Sequence, residues 1–186
     1  MRAITVCLLL LFCLSAIAIG PEHVLAVTIL KADLAGRTFV AKTLDGTEKT
    51  YHFSPQAPIS SLAEAAISKS LYGGEGYQFL IHYTIERKEQ LIMGFDYVGR
   101  EAWKSATGAI LKVDPATGTI VVKNTDGTEL SLNAGKYCMV ERTAGARSCR
   151  EWMNGKDTDL KAVVVRYTEV PTGRLAHLLE VTTKTP

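Results

Sequence analysis

The sequence predicts a mainly β protein built from two tandem small five-stranded barrels, each with a short helix between its third and fourth strands. Three observations carry this expectation. A phrase occurs twice, as ILKADLAGRTFVAKTLDGTE at 29–48 and ILKVDPATGTIVVKNTDGTE at 110–129, with a constant offset of 81 and 12 of 20 positions identical. The later part of each unit also matches, at an offset of 84: Ile81–Thr84 against Val165–Thr168, and Leu91–Tyr97 against Leu175–Val181. Between turn residues, the apolar pattern alternates with the two-residue period of half-buried strands. A period near 80 is too long for a solenoid repeat and is the size of a small domain, so the pattern reads as a tandem duplication.

Each copy of the phrase reads strand, turn, strand, Asp-Gly turn, strand. Thr38–Lys42 and Thr119–Lys123 are β-branched or apolar runs of strand length. Asp45-Gly46 and Asp126-Gly127 predict hairpins with type I′ turns, whose central residues need positive φ. The preceding turn carries Gly36 in one copy and Gly118 in the other, one position apart when the copies are aligned.

Residues 1–26 read as an export signal. Arg2 is the positive start, Val6 to Ile19 the apolar run, and Val24-Leu25-Ala26 a small-residue cleavage site, with Ala16-Ile17-Ala18 as the alternative. The run is short for a membrane span and ends at Gly20-Pro21, with an uncleaved anchor as the alternative. Phe12 before Cys13 lacks the small residue that a lipoprotein signal needs. The expected address is therefore periplasmic or secreted, in a bacterium, with no membrane span after signal cleavage. Lys+Arg number 21 and Asp+Glu 19, a net charge of +2 that is unchanged when Arg2 and Glu22 are removed together. Such a balance makes no field that would draw a polyanion. Cys7 and Cys13 fall in the signal. Cys138 and Cys149 remain, and in an exported chain they read as one disulfide closing a loop of about ten residues, with two separate buried thiols as the alternative.

The first unit is expected over 27–99. Ser54-Pro55-Gln56-Ala57-Pro58 breaks the chain after strand three. Ser61-Leu62-Ala63-Glu64 is a capping box, Ala63, Ala66, Ile67 and Leu71 follow at helical spacing, and Gly73-Gly74 stop the helix. In the next strand Phe79, Ile81, Tyr83 and Ile85 share one face and His82 lies on the other. Leu91, Met93, Phe95 and Tyr97 form the inward face of the last strand. Residues 100–107 read as a linker, with Trp103 wedged between the barrels. The second unit spans 108–186, and its Cys149, Trp152 and Met153 predict one or two helical turns pinned by the disulfide. The order β-β-β-α-β-β is that of an OB-type barrel.

The run ILKVDPATGTIVVKNTDGTE, followed by TDLKAVVVRYTE and GRLAHLLEV, resembles a family of small exported bacterial β-barrel domains of unknown function, which often occur in tandem behind signal peptides. The likeness covers most of the second unit and the outer thirds of the first. One departure is Ala162-Val163, where that family usually has Gly-Asp before its fourth strand. The resemblance implies the barrel fold and export. It transfers no catalytic residue.

Few residues suggest chemistry. His82 and Arg166 occupy equivalent outward positions in the two units, expected to face solvent, and are candidate ligand contacts together with Trp103. His177 falls on an inward register, where a hydrogen-bonded histidine is expected. Asn124–Glu129 resembles a calcium loop but lacks the Asp-x-Asp-x-Asp-Gly series, so no metal is expected and no cofactor is implied. Gly-x-Ser-x-Gly is absent from the sequence and the cysteines are expected to be paired, so no catalytic residue is nominated. Phe79, Tyr83, Phe95 and Tyr167 point inward rather than forming a stacking platform, which argues against nucleic acid. The expected function is a non-catalytic binding or assembly module of the cell envelope, whose partner is an envelope protein, a glycan or a small charged ligand. The alternatives are an enzyme whose site forms only in three dimensions and a structural spacer.

Overall fold

The computed structural model describes residues 21–33, 35–54, 76–86, 88–155 and 160–182. Its strands are β1 His23–Asp33, β2 Thr38–Thr43, β3 Glu48–Phe53, β4 Tyr77–Glu86, β5 Glu89–Gly99, β6 Lys104–Asp114, β7 Thr119–Asn124, β8 Glu129–Glu141, β9 Arg147–Ser148, β10 Val163–Val170 and β11 Gly173–Val181. The helix α1, Cys149–Met153, lies between β9 and β10. The helix expected near 61–71 lies outside the described residues.

β1 to β5 form a closed barrel in the order β1-β2-β3-β5-β4. The remaining strands form a sheet of order β11-β10-β6-β7-β8-β9, and β11 pairs with β8 as well. The β3–β5 and β8–β11 junctions are both parallel, at equivalent places in the two units. Both first strands carry a bulge at the same place, between Ile29 and Lys31 and between Ile110 and Lys112.

Alternation along these strands sends one apolar set inward, except that a bulge at Met93 shifts the register of β5 and puts Ile92, not the expected Leu91 and Met93, in the core. In the first unit Phe39, Phe53, Phe79 and Phe95 meet ring to ring with centroids 5.1–6.3 Å apart, above Ile29, Ala41, Ile81 and Ile92, which are fully buried. In the second, aliphatic residues and Trp152 take that place, with Ile120, Val122, Val140, Val163 and Val165 all inaccessible. Tyr83 and Tyr167 pack against their respective cores. Side chains fill the closed barrel, as expected at this size, and cover the inner face of the second sheet.

The Asp-Gly loops differ from expectation. Gly46 and Gly127 have φ of 89° and 86°, but neither Asp has positive φ. Gly46 N–H donates to the Thr43 carbonyl at 3.0 Å, and Gly127 N–H to the Asn124 carbonyl at 3.0 Å. Each loop is therefore an ordinary turn followed by a left-handed glycine, the arrangement of a loop one residue longer than a type I′ hairpin. The Asp carboxylates accept from the Thr47 and Thr128 amides at 3.0 and 2.9 Å, which favours this form. At the preceding turn, Arg37 (φ 51°) and Gly118 (φ 70°) are the left-handed residues. They are aligned in the repeat, so the two copies share a backbone conformation although the glycine is displaced.

α1 is short because its capping and packing allow one turn. The Ser148 hydroxyl accepts from the Glu151 amide at 3.2 Å, and Cys149, Trp152 and Met153 face the core. Cys138 in β8 is bonded to Cys149, which ties the helix to the sheet.

Two boundaries are shifted. β6 starts at Lys104, inside the expected linker, because residues 104–108 pair with β10 from Tyr167 back to Val163. β1 starts at His23, four residues before the expected start of the first unit, because His23–Ile29 pair with β4 from Tyr83 to Tyr77.

Candidate functional site at the junction of the two units

The outward face of β4 carries Leu80 and His82, and neighbouring β5 carries Asp96 and Val98. On β11 the corresponding outward residues are Leu178 and Glu180, beside Arg166 of β10. Val24, Ala26, Leu80 and Leu178 form a buried cluster, against which Leu44, Val98, Trp103, Tyr137, Met139 and Ala146 pack. This small core joins the units, so the faces expected to meet solvent instead meet each other.

The preceding strap fastens the joint. The Glu22 carbonyl accepts from the Ala146 amide at 2.6 Å. His23 Nδ1 lies 2.6 Å from Glu141 Oε1, and the Val24 amide donates to Glu141 Oε2 at 2.8 Å. One carboxylate of the second unit thus holds two consecutive residues of the first, across a separation of 118 positions. Trp103 Nε1–H donates to the Val27 carbonyl at 3.3 Å, and its ring meets the His177 ring edge-on at 5.6 Å. The expectation that Trp103 sits between the units describes its contacts.

His82 is not the exposed cation that alternation predicts. Its side chain is 15% exposed and lies between two carboxylates. Nδ1 contacts Glu22 Oε1, and Nε2 is 2.8 Å from Asp96 Oδ2. Burial pulls its pKa down, but hydrogen bonds to Asp96 and then Glu22, with their charges, outweigh burial and leave it raised. Arg166 is engaged in the same way: its Nε donates to Glu180 Oε2 at 2.7 Å. The two pairs are one repeated device, since His82 and Asp96, advanced by 84, become Arg166 and Glu180. The Arg166 and Glu180 side chains are 22% and 25% exposed.

His177 is buried, but not by the expected alternation: the register shifts between Ala176 and Leu178, so Ala176 rather than Leu175 joins the core and the His177 ring meets Trp103. Nε2 is 2.9 Å from Thr168 Oγ1, and burial lowers its pKa to about 4. A neutral imidazole is therefore a structural hydrogen-bonding group here. Gly135 makes room for it, because a Cβ there would lie 2.9 Å from His177 Nδ1 and 3.0 Å from the Ala176 carbonyl.

Sequence reasoning misses His23, Glu22 and Glu141. The first two read as the end of the export signal, and Glu141 has no local signature. The strand periodicity of His23–Ile29, with Val24 and Ala26 on one face, is the signal that could have found them. Among the described residues no three His, Cys, Asp or Glu side chains come together as a metal site, and no helix is long and apolar enough to cross a membrane. No protein-family model matches the chain, and no curated protein or solved structure shows significant similarity to it.

Proposed function

We propose that the chain is an exported binding or assembly module of the bacterial cell envelope, made of a tandem pair of OB-type barrels that act as one body. The supporting observation is the joint. A closed barrel and a second sheet, each with a filled interior, are held together by a buried apolar cluster, a tryptophan and a strap bonded to the second unit. Packed interiors leave recognition to outer faces and strand edges, and a fixed joint holds those surfaces at one spacing. On this reading His82, Arg166 and Trp103 maintain the joint, and the ligand is met elsewhere on the two barrels.

Export on this reading uses the upstream cleavage site. Val24 and Ala26 are buried and β1 passes through the downstream site, so processing after Ala18 keeps the strap whole whereas processing after Ala26 removes its fastenings. Mass spectrometry of the envelope fraction would locate the terminus. A stoichiometric envelope partner recovered with the intact protein, together with a thermal shift in a panel of cell-wall fragments, polyamines and oligonucleotides, tests the binding role. A ligand at 100 times its Kd stabilises by about 2.7 kcal/mol, which is a visible shift for domains of this size. Absence of any partner or shift would leave the spacer reading.

A further inference from the structure

Away from the joint, each unit has the same opening beside its third strand. β3 pairs with β5 only at His52 and Phe53, and β11 pairs with β8 from Asn133 onward. Glu48–Tyr51 and Glu129–Leu132 therefore have no strand partner on that side among the described residues. Hydrogen-bond parity fixes which groups are affected. The Phe53 amide donates to the Arg37 carbonyl across β2, and the Ser54 amide to Ile92 across β5. Alternating outward and inward bonding then aims the amide and carbonyl of Glu48 and Thr50 away from β2, into the opening. In the second unit Ala134 donates to the Gly118 carbonyl, which gives Glu129 and Ser131 the same orientation at the same offset of 81.

Each opening is walled by the hairpin that joins the last two strands. Lys49, His52, Lys88 and Glu89 line the first, and Ser131, Asn133, Glu169 and Arg174 line the second. The first is basic: Lys49 lies over the Tyr51 ring and donates to Gln90 Oε1 at 2.6 Å, and Lys88 stands at the hairpin tip. The second is balanced, since Glu169 is already engaged by Lys104 and Arg174. A neutral amide is the weaker partner for Lys49 than a carboxylate would be.

We propose that the first unit captures an extended acidic peptide segment by strand addition to β3, with the Glu48 and Thr50 main chain pairing it and Lys49 and Lys88 selecting its charge. This rests on the binding-module reading and names its partner class. The second unit presents the same main chain without the positive walls and takes the same segment more weakly.

The test uses the full processed chain and a peptide of alternating Thr and Glu, followed by amide NMR. Expected are shifts and exchange protection at Glu48 and Thr50, abolished when the peptide's amides are N-methylated. A Thr-Lys peptide should bind less well, and Lys49→Glu with Lys88→Glu should weaken the Thr-Glu peptide ~3- to 10-fold, the scale of two exposed ion pairs. The peptide controls need no altered protein, so a misfolded variant does not obscure the result. No perturbation at β3, equal binding of the N-methylated peptide, or self-association of Lys49→Thr in place of capture would overturn the proposal. In the last case Lys49 is an edge guard. An envelope partner retained by Thr50→Pro would overturn strand addition while leaving the binding-module reading standing; loss of every partner from the unaltered chain would remove both.

Discussion

His82 and His177 stand near one joint and respond to pH in opposite senses. His82 has a raised pKa because two carboxylates outweigh its burial. Its stabilisation is fully present below the unfolded value of 6.5 and is lost as pH rises through the raised folded value. His177, lowered to about 4 by burial, works the other way. The unfolded chain takes up its proton first, so stability is full above 6.5 and falls by about 3 kcal/mol as pH drops to 4. Denaturation across this range should show His82→Ala losing about 1–3 kcal/mol at pH 6 and less at pH 9. A His177 imidazole signal titrating near 6.5 in the folded protein would contradict the second assignment. Alternation does not place His177, because a bulge between Ala176 and Leu178 breaks the two-residue period there. It misjudges His82 because exposure depends on what docks against the outer face, and the docking partners come from distant parts of the chain.

At the scale of elements, α1 depends on its anchors, since one helical turn has little stability of its own. Trp152→Ala removes a fully buried ring and should cost about 3–5 kcal/mol. Reducing the bond between Cys138 and Cys149, which are 11 positions apart, should cost roughly 2–3 kcal/mol from loop-closure entropy. Both losses are measurable by denaturant unfolding. Gly108 is the tightest backbone contact among the described glycines: a Cβ there would lie 1.9 Å from the Lys123 carbonyl oxygen. Gly108→Ala should therefore destabilise the β6–β7 pair by a few kcal/mol, read as faster amide exchange in those strands. Strands, helix and disulfide of the second unit were legible because periodicity, capping and cysteine spacing are local signals. The turn type was not, because Asp-Gly suits both loop lengths, and the choice lay with the Asp side chains capping the Thr47 and Thr128 amides.

For the whole molecule, the decisive experiment compares a chain beginning at Gly20 with one beginning at Val27. The shorter chain loses the His23 and Val24 bonds to Glu141 and the burial of Val24 and Ala26. It should be less stable by roughly 3–6 kcal/mol. Calorimetry should show its two units unfolding in separate transitions, where the longer chain unfolds in one. The strand order that the two units share was legible from one repeated phrase, because like turn and strand chemistry at a fixed offset gives like local structure, down to the bulge in each first strand. The way the copies lean on each other was not legible. The contacts that decide it fall at residues where the copies differ, and their N-terminal half resembles the end of an export signal.

The strap also sets an order in time. Glu22 and His23 are made early, but Glu141 and Ala146 exist only after much of the second unit has been synthesised. Contacts so distant in sequence form after local ones, since the intervening chain must first be ordered. Seating of the strap is thus a late act of folding, which waits until the strands of the second unit are in place. A protease that cuts beside Glu22 would find its substrate in unfinished chains and lose it in finished ones, so resistance there serves as a clock for assembly.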